Sequence, residues 1–430
     1  MARLKALDKP PMTNYYDTLE IRSPAEREAA QFALLPTQVA HAKTGSAAFG
    51  ELLKDVDPQR VRDRAALAGL PVTRKSDLHT RQKAHHEAGG DVFGGFSTVG
   101  FGVGMPRVFA SPGPIYEPEG PGRDYWRMAR AMFAAGFRGG ELIHNCFSYH
   151  FVPAGSMMET GAHALGCTVF AGGTGQTEQQ VQAMSQLQPA GYIGTPSFLK
   201  IIVEKAAGMG VALPTVRKAM LGGEAFPPSL CEWFTQHGID AYQCFATADV
   251  GLIAYETPAR AGLVLDEGVI VEIVRPGTGD PVPDGEVGEV VVTVFNPDYP
   301  LLCFGTGDMS AVLAGTCPTG RSNTRIKGWL GRADQTAKVR GMFVHPGQIA
   351  EVLKRHPGLG RARLVVEGEM ANDRMSLHVE SAADTHTSTL TSAIANSVRD
   401  VTKLRADIVL AAPGSLPNDG KVIDDKRSYA

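Results

Sequence analysis

Paired cysteines are missing from this chain. Its six cysteines, at 146, 167, 231, 244, 303 and 317, stand singly, with no CxxC among them. That spacing excludes a disulfide framework or a zinc knuckle, and buried, reduced thiols are the expectation. Long apolar runs are missing too. No segment approaches 18 consecutive apolar residues, and the N-terminus MARLKALDKPPMTNYYDTLE has no apolar signal region. No run of Lys or Arg stands out, and the formal charge is only −3, which argues against bulk nucleic-acid binding. These absences predict a soluble, cytoplasmic protein with neither nucleic-acid nor membrane partners. The familiar nucleotide fingerprints fail as well: there is no GxxxxGK[ST], and no GxGxxG follows a predicted strand. Neither a GxSxG elbow nor an HExxH motif occurs. His144, Cys146 and His150 come closest to a metal cluster, but i, i+2, i+6 on a strand and loop fits no standard site.

What is present is a chain of 430 residues, 43% hydrophobic, enough for one large domain and a smaller one. Residues 14–90 are charged, with apolar residues at helical spacing. Strands and helices then alternate. ELIHNCFSY, CTVFAGG, AGYIGT, VRKAMLGGE and IDAYQCFATAD read as strands. AGSMMETGAHALG, TEQQVQAMSQLQ, PSFLKIIVEKAAGMG and PPSLCEWFTQHG read as helices, the third with Thr195 at N-cap and Pro196 at N1. Such alternation predicts an α/β fold with a mostly parallel sheet covered on both faces. From about residue 255 the pattern becomes strand and turn, with a hairpin over GVIVEIVRPGTGDPVPDGEVGEVVVTVF. The last hundred residues read as a small α+β unit, and the boundary falls near GWLGRADQ (328–335). The expected domains are therefore 1–330 and 331–430.

Short polar clusters follow the predicted strands, at the ends where open α/β sheets bind ligands. They are GTPS (194–197), GGEA (222–225), FATAD (245–249) and FGTGD (304–308). GRADQTAKVRG (331–341) and NDGK (418–421) follow in the smaller unit.

Taken in order, these segments resemble the adenylate-forming acid–CoA ligases, and within them the phenylacetate–CoA ligase family. The most specific matches are GTPSFLK, GGEAFPP, TGD and GRADQTAKVRGMFVHPGQIAEVL. The resemblance implies a large N-terminal adenylation domain and a small mobile C-terminal domain. It implies ATP-dependent conversion of an aryl, phenylacetate-like acid to an acyl-adenylate, followed by thioester formation on CoA. The expected cofactors are ATP, Mg²⁺ and CoA; the expected partners are the carboxylic acid and CoA, with a homodimer suggested by relatives. Lys421 matches the family's adenylation lysine, whose ammonium would neutralise developing charge. Asp308 can accept hydrogen bonds from both ribose hydroxyls, and Arg332, always charged, can reach ribose or phosphate. Asp334 falls where the family places its hinge. Gly223, Glu224, Ala225, Thr247 and Asp249 match positions near the adenine and the metal, with Asp249 as the Mg²⁺ ligand. Lys338, Arg340 and Gly341 match the segment facing CoA. Tyr149, Phe151, Gly173, Thr195 and Pro196 are the expected acid-pocket residues. Some relatives hold a structural zinc partly through cysteines. Here only Cys317 remains of that set, so no zinc is expected.

One segment departs from the family. RVFASPGPIYEPEGPG (107–122) occupies the place of a Ser/Thr/Gly-rich phosphate loop ending in Lys. It reads as a strand end before the helix-like RDYWRMARAMF, a junction that usually cradles phosphate. Yet Pro112, Pro114 and Pro118 lack N–H groups, the lysine is missing, and Ser111 and Tyr116 are the only hydroxyls. Glu117 and Glu119 are expected to add negative charge there. Two readings stay open: a divergent but working loop, or an adenylating fold that has lost efficient ATP activation and acts in ligand binding or acyl transfer.

Overall fold

A computed structural model of the chain describes residues 14–427 apart from 276–277, 331, 334–336, 341, 345, 369–372, 383–387 and 418–420. The architecture is mixed α/β. A nine-stranded sheet dominates it. Five of its strands run parallel, in the spatial order Thr168–Ala171, Leu142–Asn145, Gly191–Gly194, Lys218–Leu221 and Asp240–Thr247. These are the strands that the sequence predicts, and most are apolar runs because helices cover the sheet. Gly251–Glu256 then turns back antiparallel.

Local sequence explains the helices between them. Pro196–Gly208 begins with Pro at its first position and Thr195 at the N-cap in extended conformation. The Thr195 hydroxyl makes no cap hydrogen bond and lies 3.5 Å from Ser197 Oγ instead. In the N-terminal region, Ser23 and Glu26 form a reciprocal capping box ahead of Pro24–Gly45.

A second sheet orders Thr73–Arg74, Phe304–Ser310, Gly288–Val294 and Val269–Val274. The last two pair as the expected hairpin. It shares one apolar core with the N-terminal helices, including Leu35, Val39, Phe49, Leu78, Val292 and Phe304. Near the C-terminus, Asp407–Ala411, Arg374–Glu380, Ala362–Glu367 and Ile423–Asp425 form a third sheet. Its core, which includes Val344, Leu364, Leu377, Ile394 and Val398, draws only on residues after 336.

The 107–122 segment differs from its sequence reading. Arg107–Ser111 and Ile115–Glu119 form an antiparallel hairpin, with residues 112–114 as its exposed tip. The helix that follows spans only Met128–Ala134. The turn residues Pro-Gly-Pro between two strand-like runs favour pairing of the two strands over a strand-to-helix junction. No helix among the described residues is long and apolar enough to cross a membrane.

Candidate functional site

The chain leaves Leu142–Asn145 toward one edge of the main sheet and leaves Gly191–Gly194 toward the other. Neighbouring strands whose connections diverge open a crevice at their carboxyl ends, where α/β sheets bind ligands. At the ends of these strands and the next two lie Phe147, Ser197, Glu224 and Thr247. An apolar cleft of about 110 Å³ sits there, walled by Phe147, Met157, Met158 and Cys244 and rimmed by Gly223 and Thr247.

Of the residues picked from the sequence, Gly223 and Thr247 line this cleft, and others pair with one another. Gly223, Glu224 and Ala225 form the turn after Lys218–Leu221, with Gly223 in the left-handed region at φ 74°. Ser197 Oγ donates to Glu224 Oε2 at 2.5 Å, joining two polar clusters. Thr247 Oγ1 accepts the Val250 N–H at 3.3 Å and so shapes the turn before Asp249. Asp308 and Arg332, 24 positions apart, form an ion pair of 3.1 Å. Trp329 Nε1–H also donates to Asp308 Oδ1, at 2.9 Å. Residues 308 and 332 are bridged through their backbones as well, so the ion pair is set by strand pairing and not only by its side chains.

Other expected residues lie elsewhere. Tyr149 is outside the cleft wall: its hydroxyl donates to Glu159 Oε2 at 2.8 Å and accepts from Asn145 Nδ2. Phe151 has a left-handed backbone, φ 62°, and an exposed residue, 81% accessible. Gly173 donates its N–H to the Asn145 carbonyl, and Thr195 and Pro196 open a helix beside the crevice without lining the cleft. Tyr149 and Phe151, expected in the acid pocket, thus do not line this cleft, whereas Phe147 and the methionine pair do. The chain turns sharply over 148–153, so side chains near in sequence face different spaces. Lys421 is exposed, ahead of Ile423–Asp425, and does not line the cleft. Lys338 lies in the strand Ala337–Val339, paired with Met342–Val344. The Arg340 guanidinium donates to the Asp373 carbonyl. Asp334 and Gly341 lie outside the described residues, as do residues 418–420 before Lys421.

The hairpin also departs from expectation in its charges. Ser111 is buried and its hydroxyl and N–H both donate to Glu117, so that hydroxyl faces inward and not toward the tip. Glu117 is itself fully buried. Burial, and then the Asp249 carboxylate, push its pKa up to about 8. Glu119 pairs with Arg107 at 3.0 Å. Neither acid therefore sits bare at the tip.

The sequence gives no sign of Lys75. It begins the helix Lys75–Glu87, and its Nζ donates to Asp249 Oδ2 at 3.0 Å across 174 positions. Burial acts to lower the Lys75 pKa, but the Asp249 and Glu117 carboxylates outweigh it and hold the ammonium above its ordinary value. Asp249 Oδ1 is buried with no hydrogen-bond partner among the described residues. A lone carboxylate oxygen so placed fits a Mg²⁺ ligand, since one or two protein carboxylates suffice when phosphates complete the shell.

The remaining thiols and imidazoles pack as ordinary side chains. All six cysteines are unpaired. His144 Nε2 bonds Gln180, and burial depresses its pKa. Cys317 lies against Thr257 and Thr319.

Comparison with known proteins agrees with the fold. The sequence profile described as AMP-binding enzyme matches residues 124–294, and that described as AMP-binding enzyme C-terminal domain matches residues 341–427. The phenylacetate–coenzyme A ligase of Thermus thermophilus is 28% identical over 398 residues, covering 84% of this chain and 86% of that protein. The phenylacetate–coenzyme A ligase of Escherichia coli is 27% identical over 94% of this chain and 95% of its own length. The crystal structure of a 2-hydroxyisobutyryl-CoA ligase with 2-HIB-AMP and CoA in its thioesterification state superposes with a TM-score of 0.84 at 23% identity. It covers 99% of this chain and 95% of that one. The same ligase in its postadenylation state gives 0.71. Two profiles in the right order, relatives matched along nearly the whole chain, and a shared fold lead to one assignment: the chain belongs to the adenylate-forming AMP-binding enzymes, among the relatives of the phenylacetate–coenzyme A ligases.

Proposed function

We propose that this chain is an AMP-forming acid–CoA ligase that activates an aryl acid of the phenylacetate kind and passes the acyl group to CoA. The observation that carries this reading is the cleft shared between two functions. Its apolar wall of Phe147, Met157 and Met158 suits a flat ring, while its rim residues Gly223 and Thr247 belong to the segments expected to border the nucleotide. An acid seated there presents its carboxylate toward the α-phosphate, which replaces a bimolecular encounter by a held geometry.

The residue roles follow from position. The Asp308 carboxylate accepts from the ribose hydroxyls, and Arg332, already paired to it, steadies that carboxylate and meets phosphate charge. Glu224 and Ala225 border the base. Asp249 is the protein ligand for Mg²⁺, which when bound would neutralise phosphate charge. Lys421 brings its ammonium to the reacting carboxylate when residues 331–430 turn as a unit about Asp334. In the other half-reaction Lys338 and Gly341 face CoA. The separate apolar core after residue 336 supports such a mobile unit. Superposition nearer the thioesterification state supports reading the present arrangement, with Lys421 away from the cleft, as the thioester-forming one. Cytoplasmic residence and a homodimer belong to the same proposal.

The hairpin supports a second reading. Its tip offers prolines and no exposed hydroxyl from Ser111, which favours a fold that has lost efficient ATP activation. Pyrophosphate release across a panel of aryl acids decides between the two. Acid-dependent release is expected. ATP turnover absent with every acid, while acyl-adenylate still binds, would establish the second reading instead.

A further inference from the structure

We propose that Lys75 is the cation that receives the β- and γ-phosphates of the nucleotide, in place of the lysine that the hairpin tip lacks. This rests on the adenylating reading above and adds to it a residue outside the short segments quoted for the family resemblance.

The hairpin leaves a deficit of positive charge. Residues 112–114 carry none, Pro112 and Pro114 have no N–H to donate, and the Ser111 hydroxyl is committed to Glu117. A polyphosphate needs donors or cations that can be shared among several oxygens. Lys75 is placed to supply them. Its side chain keeps 28% of its surface accessible, whereas the Asp249 side chain beneath it keeps 1%. Lys75 is therefore the more accessible side chain of the pair, and its ammonium has three protons of which Asp249 takes one.

The helix that begins with Lys75 also holds the hairpin. Gln82, seven residues on, donates to the Tyr116 carbonyl and accepts the Tyr116 N–H, each at 2.8 Å. The same helix packs on the strand Phe304–Ser310, which bears Asp308. Lys75 is thus fixed by one rigid element relative to both the hairpin and the expected ribose site. The Arg332 charge opposes that of Lys75, and a bound anion would relieve that repulsion. The ion pair with Asp249 keeps Lys75 ordered, which removes much of the rotamer cost of holding a lysine in place.

The test is calorimetric titration of the full chain with ATP and, separately, with AMP, both with Mg²⁺ present. Lys75→Met and Lys75→Gln remove the charge, and glutamine keeps a donor for Asp249 should the methionine variant fail to fold. A charge-assisted contact to phosphate predicts that ATP affinity falls about 10- to 100-fold, while AMP affinity shifts by less than about 3-fold. Lys75→Arg, which keeps the charge, restores most of the ATP affinity. Unchanged ATP affinity in both neutral variants, or equal loss for ATP and AMP, would show that Lys75 only braces Asp249 and would overturn the proposal. If the unaltered protein binds AMP or acyl-adenylate but not ATP, the adenylating reading itself falls, and that outcome is visible before any variant is made.

Discussion

Gly222 offers a direct test of where the acid binds. It lines the cleft, and a Cβ added there would stand 3.1 Å from Cys244 Sγ and 3.8 Å from Phe147 Cζ. Gly222→Ala therefore introduces one methyl group between two walls of the cleft. A methyl occupies roughly the 30 Å³ share of one water in the liquid, about a quarter of the cleft's 110 Å³. Losing room for one such group in an apolar pocket costs about 1–3 kcal/mol of discrimination. The expected result is a fall of about 10- to 200-fold in kcat/KM for phenylacetate, a smaller fall for benzoate, and little change for acetate. KM for ATP should move less than about twofold, because the intruding methyl faces Cys244 and Phe147. The Cys244 contact requires a shift of a few tenths of an ångström, so a stability loss of about 1 kcal/mol accompanies it. Thermal melts then separate misfolding from blockage. Acid-dependent pyrophosphate release is the assay, and Met157→Ala in the same chain should recover part of the lost activity by opening the opposite wall. Unchanged kinetics with phenylacetate would refute the placement. So would a uniform loss across all three acids and ATP.

Two further expectations concern the C-terminal unit and the second sheet. Lys421→Ala should reduce adenylate formation by about 10²- to 10³-fold, the size of one lost electrostatic contact in a transition state. Conversion of supplied acyl-adenylate and CoA to thioester should persist, and equal loss of both half-reactions would remove the assigned role. Glu272, buried in Val269–Val274, has its pKa pushed up to about 7, chiefly by burial, with the Arg64 charge opposing. Because the folded state holds this proton more tightly than the unfolded chain does, stability declines as pH rises from about 4.5 toward about 7, by up to ~1.4 kcal/mol per pH unit. Glu272→Gln should raise the melting temperature at pH 8 and give little or no gain at pH 4.5. An equal shift at both pH values would contradict the linkage.

Much of the architecture was legible before any coordinates. The strand-like runs at 142–145, 191–194 and 218–221, alternating with helix-length segments, encode a parallel sheet covered on both faces. The hairpin over 269–294 was equally legible from Gly, Pro and Asp between strand-like runs. Asp308 and Arg332 could be singled out because each stands in a short segment resembling a known family. Their meeting in an ion pair is something the structure adds. Ser111 and its neighbours show the opposite case. The same residues that read as an eroded phosphate loop fold as a hairpin whose acids turn inward, and only the pairing of Arg107–Ser111 with Ile115–Glu119 decides which way each side chain points.

By itself, then, the sequence determined the order of strands and helices, the family, and the polar segments that end the strands. All of these depend on periodicity, turn chemistry and local motifs within a few residues. Tertiary structure alone decided that Met157 and Phe147, and not Tyr149 and Phe151, face the cleft, and that Lys75 meets Asp249 across 174 positions. Such choices depend on how a loop bends and on which distant surfaces come together. No local pattern encodes them, since the free energy that selects them comes from packing and charge pairing of the whole chain.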